Sequence, residues 1–527
     1  MVDFYPISRG VAPAVGGAKE VGGKAWNLMR MAQIGLPVPP AFVLPTTWRQ
    51  RPLPSSEPEL RATLFKGIAG LEAATGLRFG GSRRPLLVSV RSGAAISMPG
   101  MMETVLDVGL NAETVEGLVR LTGNPRLAWD SYRRLIQGYA EVVAGLPTAP
   151  FDTLVVEALK LADVDSEREL DHRDLRALSA KMLDCYRSLA QAAFPSDPRE
   201  QLAAAAAGVF RSWDAPKAAA YRRLNGISDD AGTAVTVQTM VYGNAGGSSG
   251  AGVAFTRNPA TGLRELYFDF RFNSQGEDVV AGRQRLGDNE RLRTALPDIW
   301  RRLNEVSQQL EALAADAQDF EFTVQSGVLY LLQTRRAKRT DWAALTIAVD
   351  MVDEGLLTPA KGLALLDGVK LDAVVRTSFA AATAKPLATA EVAGMGVACG
   401  VLALDSDAVK RASVAGTPAI LVREETVTTD IEGMALAAGI LTATGGRTSH
   451  AAVVARQLGK VCLVACPNLE IDLAHRQCKI GGVLLNEGDS LSLDGNTGAV
   501  YAGKLEPLVE RPERALQAIA DWRRVAA

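Results

Sequence analysis

The spacing of apolar and polar residues changes along the chain, and each change predicts an element. From 16 to 47, a glycine-rich turn (GGAKEVGGK) leads into AWNLMRMAQIG, whose apolar positions recur at helical spacing. A proline-punctuated strand, LPVPPAFVLPTT, follows. LLVSVRSG at 86 to 93 predicts a buried strand entering the loop AAISMPGMMET, and GTAVTVQTMVYG at 232 to 243 predicts another entering NAGGSSGAG. The intervening stretch, about 112 to 225, is mostly helical. DFEFTVQSGVLYLLQTR at 319 to 335 alternates as two strands joined by the turn QSG, which puts Asp319 and Glu321 on one face of the first strand and Gln333 and Arg335 on one face of the second.

Beyond a border near 340, TIAVDMVDEGLLTPAKGLALL predicts a short helical connector. From 385 to 505 the strands are short and glycine-punctuated, the pattern of a compact domain with a β-rich core and a few helices. LVERPERALQAIADWRRVAA reads as a terminal helix. The expected division is therefore 1–340, 341–384, 385–505 and 506–527, and 527 residues suit several domains.

Composition narrows the partners. Fifty-seven basic residues balance fifty-nine acidic ones without long single-sign blocks, which speaks against nucleic acid or an anionic membrane as partner. The start MVDFYPISRG lacks a signal-peptide pattern and no apolar run approaches the ~20 residues that span a bilayer, so a cytoplasmic location is expected. The five cysteines, at 185, 399, 462, 466 and 478, are scattered and odd in number, which argues against a disulfide framework. Cys462 and Cys466 are spaced like metal ligands, but Cys399 and Cys478 do not complete a tight set, so buried thiols are expected.

Three histidines occur. His450 lies in TATGGRTSHAAVVARQLGK, where two glycines permit a tight turn, Thr448 or Ser449 is available as a cap, and a helix follows. An imidazole at a helix N-terminus sits where backbone N–H groups and the helix dipole stabilise a phosphoryl group, and the small alanines would let a second active site approach. His172, in DHRDLRAL, lacks the rest of a kinase catalytic set and is expected on an exposed helix, and His475 has no evident partner. Lys24 in GGK and Arg91 in SVRSG are candidate phosphate cations, and Asp319 with Glu321 could share a metal ion. The glycine-rich run around Gly246, Gly247 and Ser248 could fold over a triphosphate or be a flexible hairpin loop.

Taken in order, GGKAWNLMRMAQIGLPVPPAF, PLLVSVRSGAAISMPGMMETVLDVGL, GTAVTVQTMVYGNAGGSSGAGVAFTRNPATG, NSQGEDVVAG, QDFEFTVQSGVLYLLQTRRAKRT, DIEGMALAAGILTATGGRTSHAAVVARQLGK and SLDGNTGAVYAG resemble the pyruvate phosphate dikinase family over most of 16 to 505. The resemblance implies an α/β multidomain fold: an ATP-grasp-like nucleotide-binding domain with a helical insertion, a helical linker, and a compact swivelling phosphohistidine domain. It makes His450 the phosphoryl carrier, gives Lys24, Arg91, Arg335 and Gln333 to the phosphates, gives Mg²⁺ to Asp319 and Glu321, and adds Glu277 and Asp278 to the same site. ATP and phosphate would be substrates.

Arg447 departs from the usual Met of the dikinases and resembles phosphoenolpyruvate synthases, in which water replaces phosphate as acceptor. The family continues into a barrel that binds pyruvate, whereas this sequence stops at Ala527. The expected function is therefore ATP-dependent phosphorylation of His450, with the pyruvate or other acceptor site on a separate polypeptide. Two alternatives are a phosphotransferase acting on a non-pyruvate substrate, as in antibiotic phosphotransferases, and a non-catalytic nucleotide-binding regulator.

Overall fold

The computed structural model describes residues 2–11, 17–50, 53–96, 98, 102–276, 288–379, 385–427, 430–445 and 450–526. Two compact units make up the chain. The first comprises Met1–Ala251, Arg301–Val306 and Phe320–Arg335; the second comprises Gly252–Trp300, Ser307–Asp319 and Arg336–Ala527.

In the first unit, strands β1 (Tyr5–Ile7), β2 (Ala41–Leu44), β3 (Val88–Gly93), β4 (Thr104–Val108) and β5 (Ala234–Thr239) form a sheet in the order β1-β2-β5-β3-β4. Every neighbouring pair in it is antiparallel. Helix α1 (Ala18–Gln33) packs against β3 and β5, burying Ala25, Leu28, Met29 and Ala32. The helical stretch between β4 and β5 includes Ala112–Thr122, Pro125–Val142, Ala149–Ala162, His172–Ala190 and Pro198–Arg211, joined to the sheet by one apolar core. Their starts follow the rules for caps: Asn111 and Asp171 each accept from backbone N–H groups in a capping box. Ala203, Ala205 and Ala206 of the alanine tract lie in this core, where small side chains let the helix sit close to its neighbours. His172 is exposed on the first turn of its helix.

Strands β6 (Gly250–Phe255) and β7 (Tyr267–Phe272) are neighbours in their sheet, as are β8 (Gln318–Gln325) and β9 (Val328–Arg336). The latter two form a hairpin whose two-residue loop, Ser326 and Gly327, has φ of 49° and 78°. That is the left-handed pair a tight hairpin requires, and it realises the QSG turn.

The second unit has an eight-stranded sheet built from β11 (Ala388–Thr389), β12 (Glu391–Gly394), β13 (Val397–Ala403), β14 (Ala419–Arg423), β15 (Gly439–Thr442), β16 (Val461–Val464), β20 (Ser490–Asp494) and β21 (Ala499–Ala502), in the order β11-β21-β20-β13-β14-β15-β16-β12. The centre, β13 to β16, is parallel, with helical crossovers that include α4 (His450–Gln457). Along β14, Ala419 and Leu421 face one core and Ile420 and Val422 the other, so both sheet faces are covered. One cover is the three-stranded meander β17 (Leu469–Asp472), β18 (Gln477–Ile480) and β19 (Val483–Asn486).

Before the sheet come α2 (Asp341–Asp353), α3 (Pro359–Leu365) and β10 (Arg376–Phe379). The segment after it is more than a terminal helix. Strand β22 (Pro507–Glu510) pairs antiparallel with β10, and only then does α5 (Glu513–Ala526) begin, packing on α2 and α3. A Cβ on Gly362 of α3 would approach the Trp522 ring to 2.9 Å, so glycine is what lets α5 dock there. Among the described residues, no helix is long and apolar enough to cross a membrane.

Candidate functional site

The GGK segment differs from the expected simple helix start. The helix begins at Ala18, but Gly22 breaks it with φ 77° and ψ 152°, and regular winding resumes at Gly23. There the Gly23 N–H donates to the Ala94 carbonyl at 2.9 Å, bringing the restarted helix against the end of β3. Two glycines thus allow α1 to touch the backbone that follows Arg91, and Lys24 lands beside Arg91. One turn on, the Asn27 side-chain amide donates to the Thr334 carbonyl at 2.8 Å, tying the same helix to β9 between Gln333 and Arg335.

Four of the expected residues therefore converge. Arg91 Nη2 lies 3.9 Å from the Glu321 carboxylate, close enough for attraction and too far for a tight hydrogen bond. Burial, with the nearby Arg91 and Arg335 guanidinium groups and against the pull of Glu321, lowers the Lys24 ammonium from 10.5 to about 7. Arg91 Nε is buried with no hydrogen-bond partner among the described residues. An unpaired buried N–H costs about 1–3 kcal/mol, which an anionic oxygen would recover.

Asp319 is buried on β8 two residues before the half-exposed Glu321, and Gln333 is partly buried on β9. Hard carboxylate oxygens suit Mg²⁺, which one or two carboxylates commonly hold together with substrate phosphates. No cluster of three or more His, Cys, Asp or Glu side chains that could hold a metal ion occurs among the described residues. Glu277 and Asp278 lie outside the described residues.

Gly246, Gly247 and Ser248 form the tip of the loop between β5 and β6, with Gly247 and Ser248 exposed. A Cβ on Gly246 or Gly247 would meet nothing within 4 Å, so there is open space beside both residues.

In the second unit, the backbone of His450 opens α4 on the crossover between β15 and β16, beyond the carboxyl end of β15. In parallel sheets, that end is where ligands bind. Residues 446–449, with Arg447 and the expected caps Thr448 and Ser449, lie outside the described residues. The alanines of α4 have a different role from the one expected. Ala451, Ala452 and Ala455 are buried against the sheet, so their small size seats the helix instead of admitting a second site. The strand-to-helix loop is anchored by Ala443 N–H to the Arg423 carbonyl at 3.0 Å, and by Thr444 N–H and Oγ1 to the Glu424 carbonyl at 3.0 and 2.9 Å. A cavity of about 450 Å³ beside it is lined by Glu424, Thr444, Cys466, Asn468 and Glu470. Burial and the neighbouring Cys478 push the Cys466 thiol up to about 12, so it stays protonated. All five cysteines are free thiols. His475 does have a partner: its Nδ1 lies 2.7 Å from Asp472 Oδ2 in an exposed turn.

Comparison with known proteins bears on both units. The family described as pyruvate phosphate dikinase, AMP/ATP-binding domain, matches residues 52–294, and that described as PEP-utilising enzyme, mobile domain, matches 416–498. Pyruvate, phosphate dikinase of Clostridium symbiosum is 42% identical over 509 residues, covering 95% of this chain and 58% of that protein. The chain belongs to the pyruvate phosphate dikinase family. Pyruvate, phosphate dikinase 2 of Zea mays is 43% identical over 93% of this chain and 56% of its own, and the Rhizobium meliloti (strain 1021) dikinase is 40% identical over 95% and 58%. The chain thus spans a little over half the length of these dikinases.

Within this chain, the nucleotide-domain match contains Arg91, the glycine-rich tip and Glu277–Asp278, and the mobile-domain match contains His450. Sequence reasoning missed Asn27 and Gln325, whose side chains tie elements together through backbone atoms. Neither carries a charge or a recurring spacing that would have marked it.

Proposed function

We propose that this chain catalyses ATP-dependent phosphorylation of its own His450, giving AMP, as the nucleotide half of a dikinase reaction. What carries the reading is the convergence of Lys24, Arg91 and Arg335 around Glu321, with Lys24 lowered to about 7 and Arg91 Nε unpaired among the described residues. Three cations gathered in one place is unfavourable unless a polyanion joins them.

In the proposed reaction, a neutral imidazole nitrogen of His450 attacks the β-phosphorus. The bond from that phosphorus to the α-phosphate oxygen breaks, and AMP leaves with the electron pair. Lys24, Arg91 and Arg335 stabilise the charge that develops on the phosphoryl oxygens, Gln333 assists them, and Gly246, Gly247 and Ser248 offer backbone N–H groups. Asp319 and Glu321 would hold Mg²⁺, which neutralises phosphate charge when bound, and Glu277 and Asp278 would belong to the phosphate-binding set. Phosphate then attacks the terminal phosphorus, the bond from that phosphorus to the bridging oxygen breaks with its electron pair left on the oxygen of the His450 phosphoryl group, and the newly formed pyrophosphate departs.

The four-part division at 340, 384 and 505 belongs to the proposal, as does a cytoplasmic location. So does the final acceptor, pyruvate or another molecule bound by a separate chain. Purified protein incubated with β-³²P-ATP and Mg²⁺ should gain acid-labile label and release AMP, and His450→Ala should bind ATP without gaining label. Comparing reactions with and without phosphate separates dikinase from synthase behaviour. Wild type that binds ATP yet gains no label, alone or with a dikinase barrel added in trans, would overturn the reading.

A further inference from the structure

The glycine-rich loop and the carboxylate-bearing hairpin touch at three consecutive residues of the hairpin turn. The Tyr242 backbone N–H donates to Gln325 Oε1 at 2.8 Å, the Ser326 N–H donates to Ser249 Oγ at 2.9 Å, and the Gly327 N–H donates to the Ser248 carbonyl at 3.0 Å. Both ends of the loop are further constrained. Tyr242, buried, directs its hydroxyl at the buried Asp107 carboxylate at 3.4 Å, and Ser249 N–H closes a turn onto the Gly246 carbonyl at 3.0 Å. Between these fixed points, Gly246 and Gly247 have free space around them.

We infer that Gln325 is a positioning residue for triphosphate binding: with the Ser326–Gly327 turn, it holds the base of the 242–250 loop so that the tip is preset over the nucleotide. Of the three contacts, Gln325 alone uses its side chain from the hairpin, so it is the one a substitution removes cleanly. The loop is fastened to the same hairpin that carries Glu321 on β8 and Arg335 on β9, so the clamp puts loop and charged groups in one frame. A loop held at its base loses less conformational freedom when it closes on a ligand, and that saving appears as affinity. The inference rests on the proposed nucleotide function.

The test uses the full chain with Gln325→Leu, Gln325→Glu and Ser249→Ala. Gln325→Leu should weaken ATP binding and raise KM for ATP about tenfold, the size of one lost hydrogen bond, with little change in kcat. Adenosine, which has no phosphates, should bind as in wild type. Gln325→Glu keeps an oxygen acceptor for Tyr242 N–H and should restore most of the ATP affinity. Should Gln325→Leu fail to fold, Ser249→Ala removes the acceptor for Ser326 N–H and should show the same split between ATP and adenosine. ATP binding unchanged in both Gln325→Leu and Ser249→Ala, or ATP and adenosine weakened equally, overturns the inference alone. Wild type that binds no ATP overturns the proposed function, and the inference with it.

Discussion

Gly22 lies so close to Gly93 that a Cβ built on Gly22 would fall 2.0 Å from the Gly93 carbonyl oxygen. The contact joins the break in α1 to the end of β3, and through it Lys24 reaches Arg91.

Gly22→Ala should therefore be among the most damaging single substitutions in the first unit. With φ 77° and ψ 152°, Gly22 occupies a region essentially confined to glycine, which costs an alanine about 1–3 kcal/mol, and the clash with a backbone carbonyl adds to it. A lowered melting temperature together with lost ATP binding is expected. Gly247→Ala, at an open position, should leave the melting temperature unchanged. Equal melting temperatures for Gly22→Ala and wild type would show that the close approach does not exist in solution.

Lys24 makes nucleotide binding sensitive to pH. Its ammonium, lowered to about 7, is mostly charged below that pH and mostly neutral above it in the free protein. A bound triphosphate favours the charged form, so binding above pH 7 takes up a proton, and affinity should fall by up to about tenfold per pH unit until the pKa of the bound state is passed. Stability runs the opposite way. Between about 7 and 10.5 the unfolded chain holds a proton that the folded free protein lacks, so stability rises with pH across that window. Calorimetry in buffers of different ionisation enthalpy measures the proton uptake, and Lys24→Arg should flatten the affinity profile. A flat wild-type profile would count against this assignment.

Glu321→Ala should raise the Mg²⁺ concentration needed for AMP release, on the order of tenfold. It also removes the carboxylate that supports the Lys24 charge, so the pH dependence above should move to lower pH. Superimposable Mg²⁺ titrations for variant and wild type would mean that the metal binds elsewhere.

Arg257, fully buried, donates from Nε and Nη2 to Glu311 at 3.0 Å each and from Nη2 to Glu354 at 2.6 Å, fastening the turn after β6 to the end of α2. Arg257→Met strands the buried Glu311 carboxylate and should destabilise the second unit by about 3–5 kcal/mol in urea denaturation. Arg257→Met combined with Glu311→Met should regain part of that loss, because the unpaired charge is gone. No recovery in the double variant would show that packing around Arg257, not charge, sets the cost.

What is legible in the sequence is chiefly what local chemistry dictates. The QSG turn follows from Ser326 and Gly327 taking positive φ, and the shared face of Asp319 and Glu321 from strand periodicity. The proximity of Lys24 to Arg91 is only implied by resemblance, because it depends on the carbonyl of a glycine far along the chain, Gly93, against Gly22. The alanines of α4 mislead because small residues suit both a close-packed sheet face and an open surface, and only the fold distinguishes them. Strand β22 escapes notice because LVE is too short to show alternation and gains its identity from β10.

The pairing of β10 with β22 constrains how residues 388–502 are tethered. Chain enters that sheet along one strand and leaves along the other, and the two are laced together from Arg376↔Glu510 to Phe379↔Pro507, with the Arg376 guanidinium on the Glu510 carboxylate and over the Trp342 ring. A single thread would allow the body it carries to spin like a weight on a string. A ribbon of two hydrogen-bonded strands behaves like a strap hinge: it folds about its flat axis, while winding it up breaks rungs. The tether of residues 388–502 thus yields more readily to bending than to twisting.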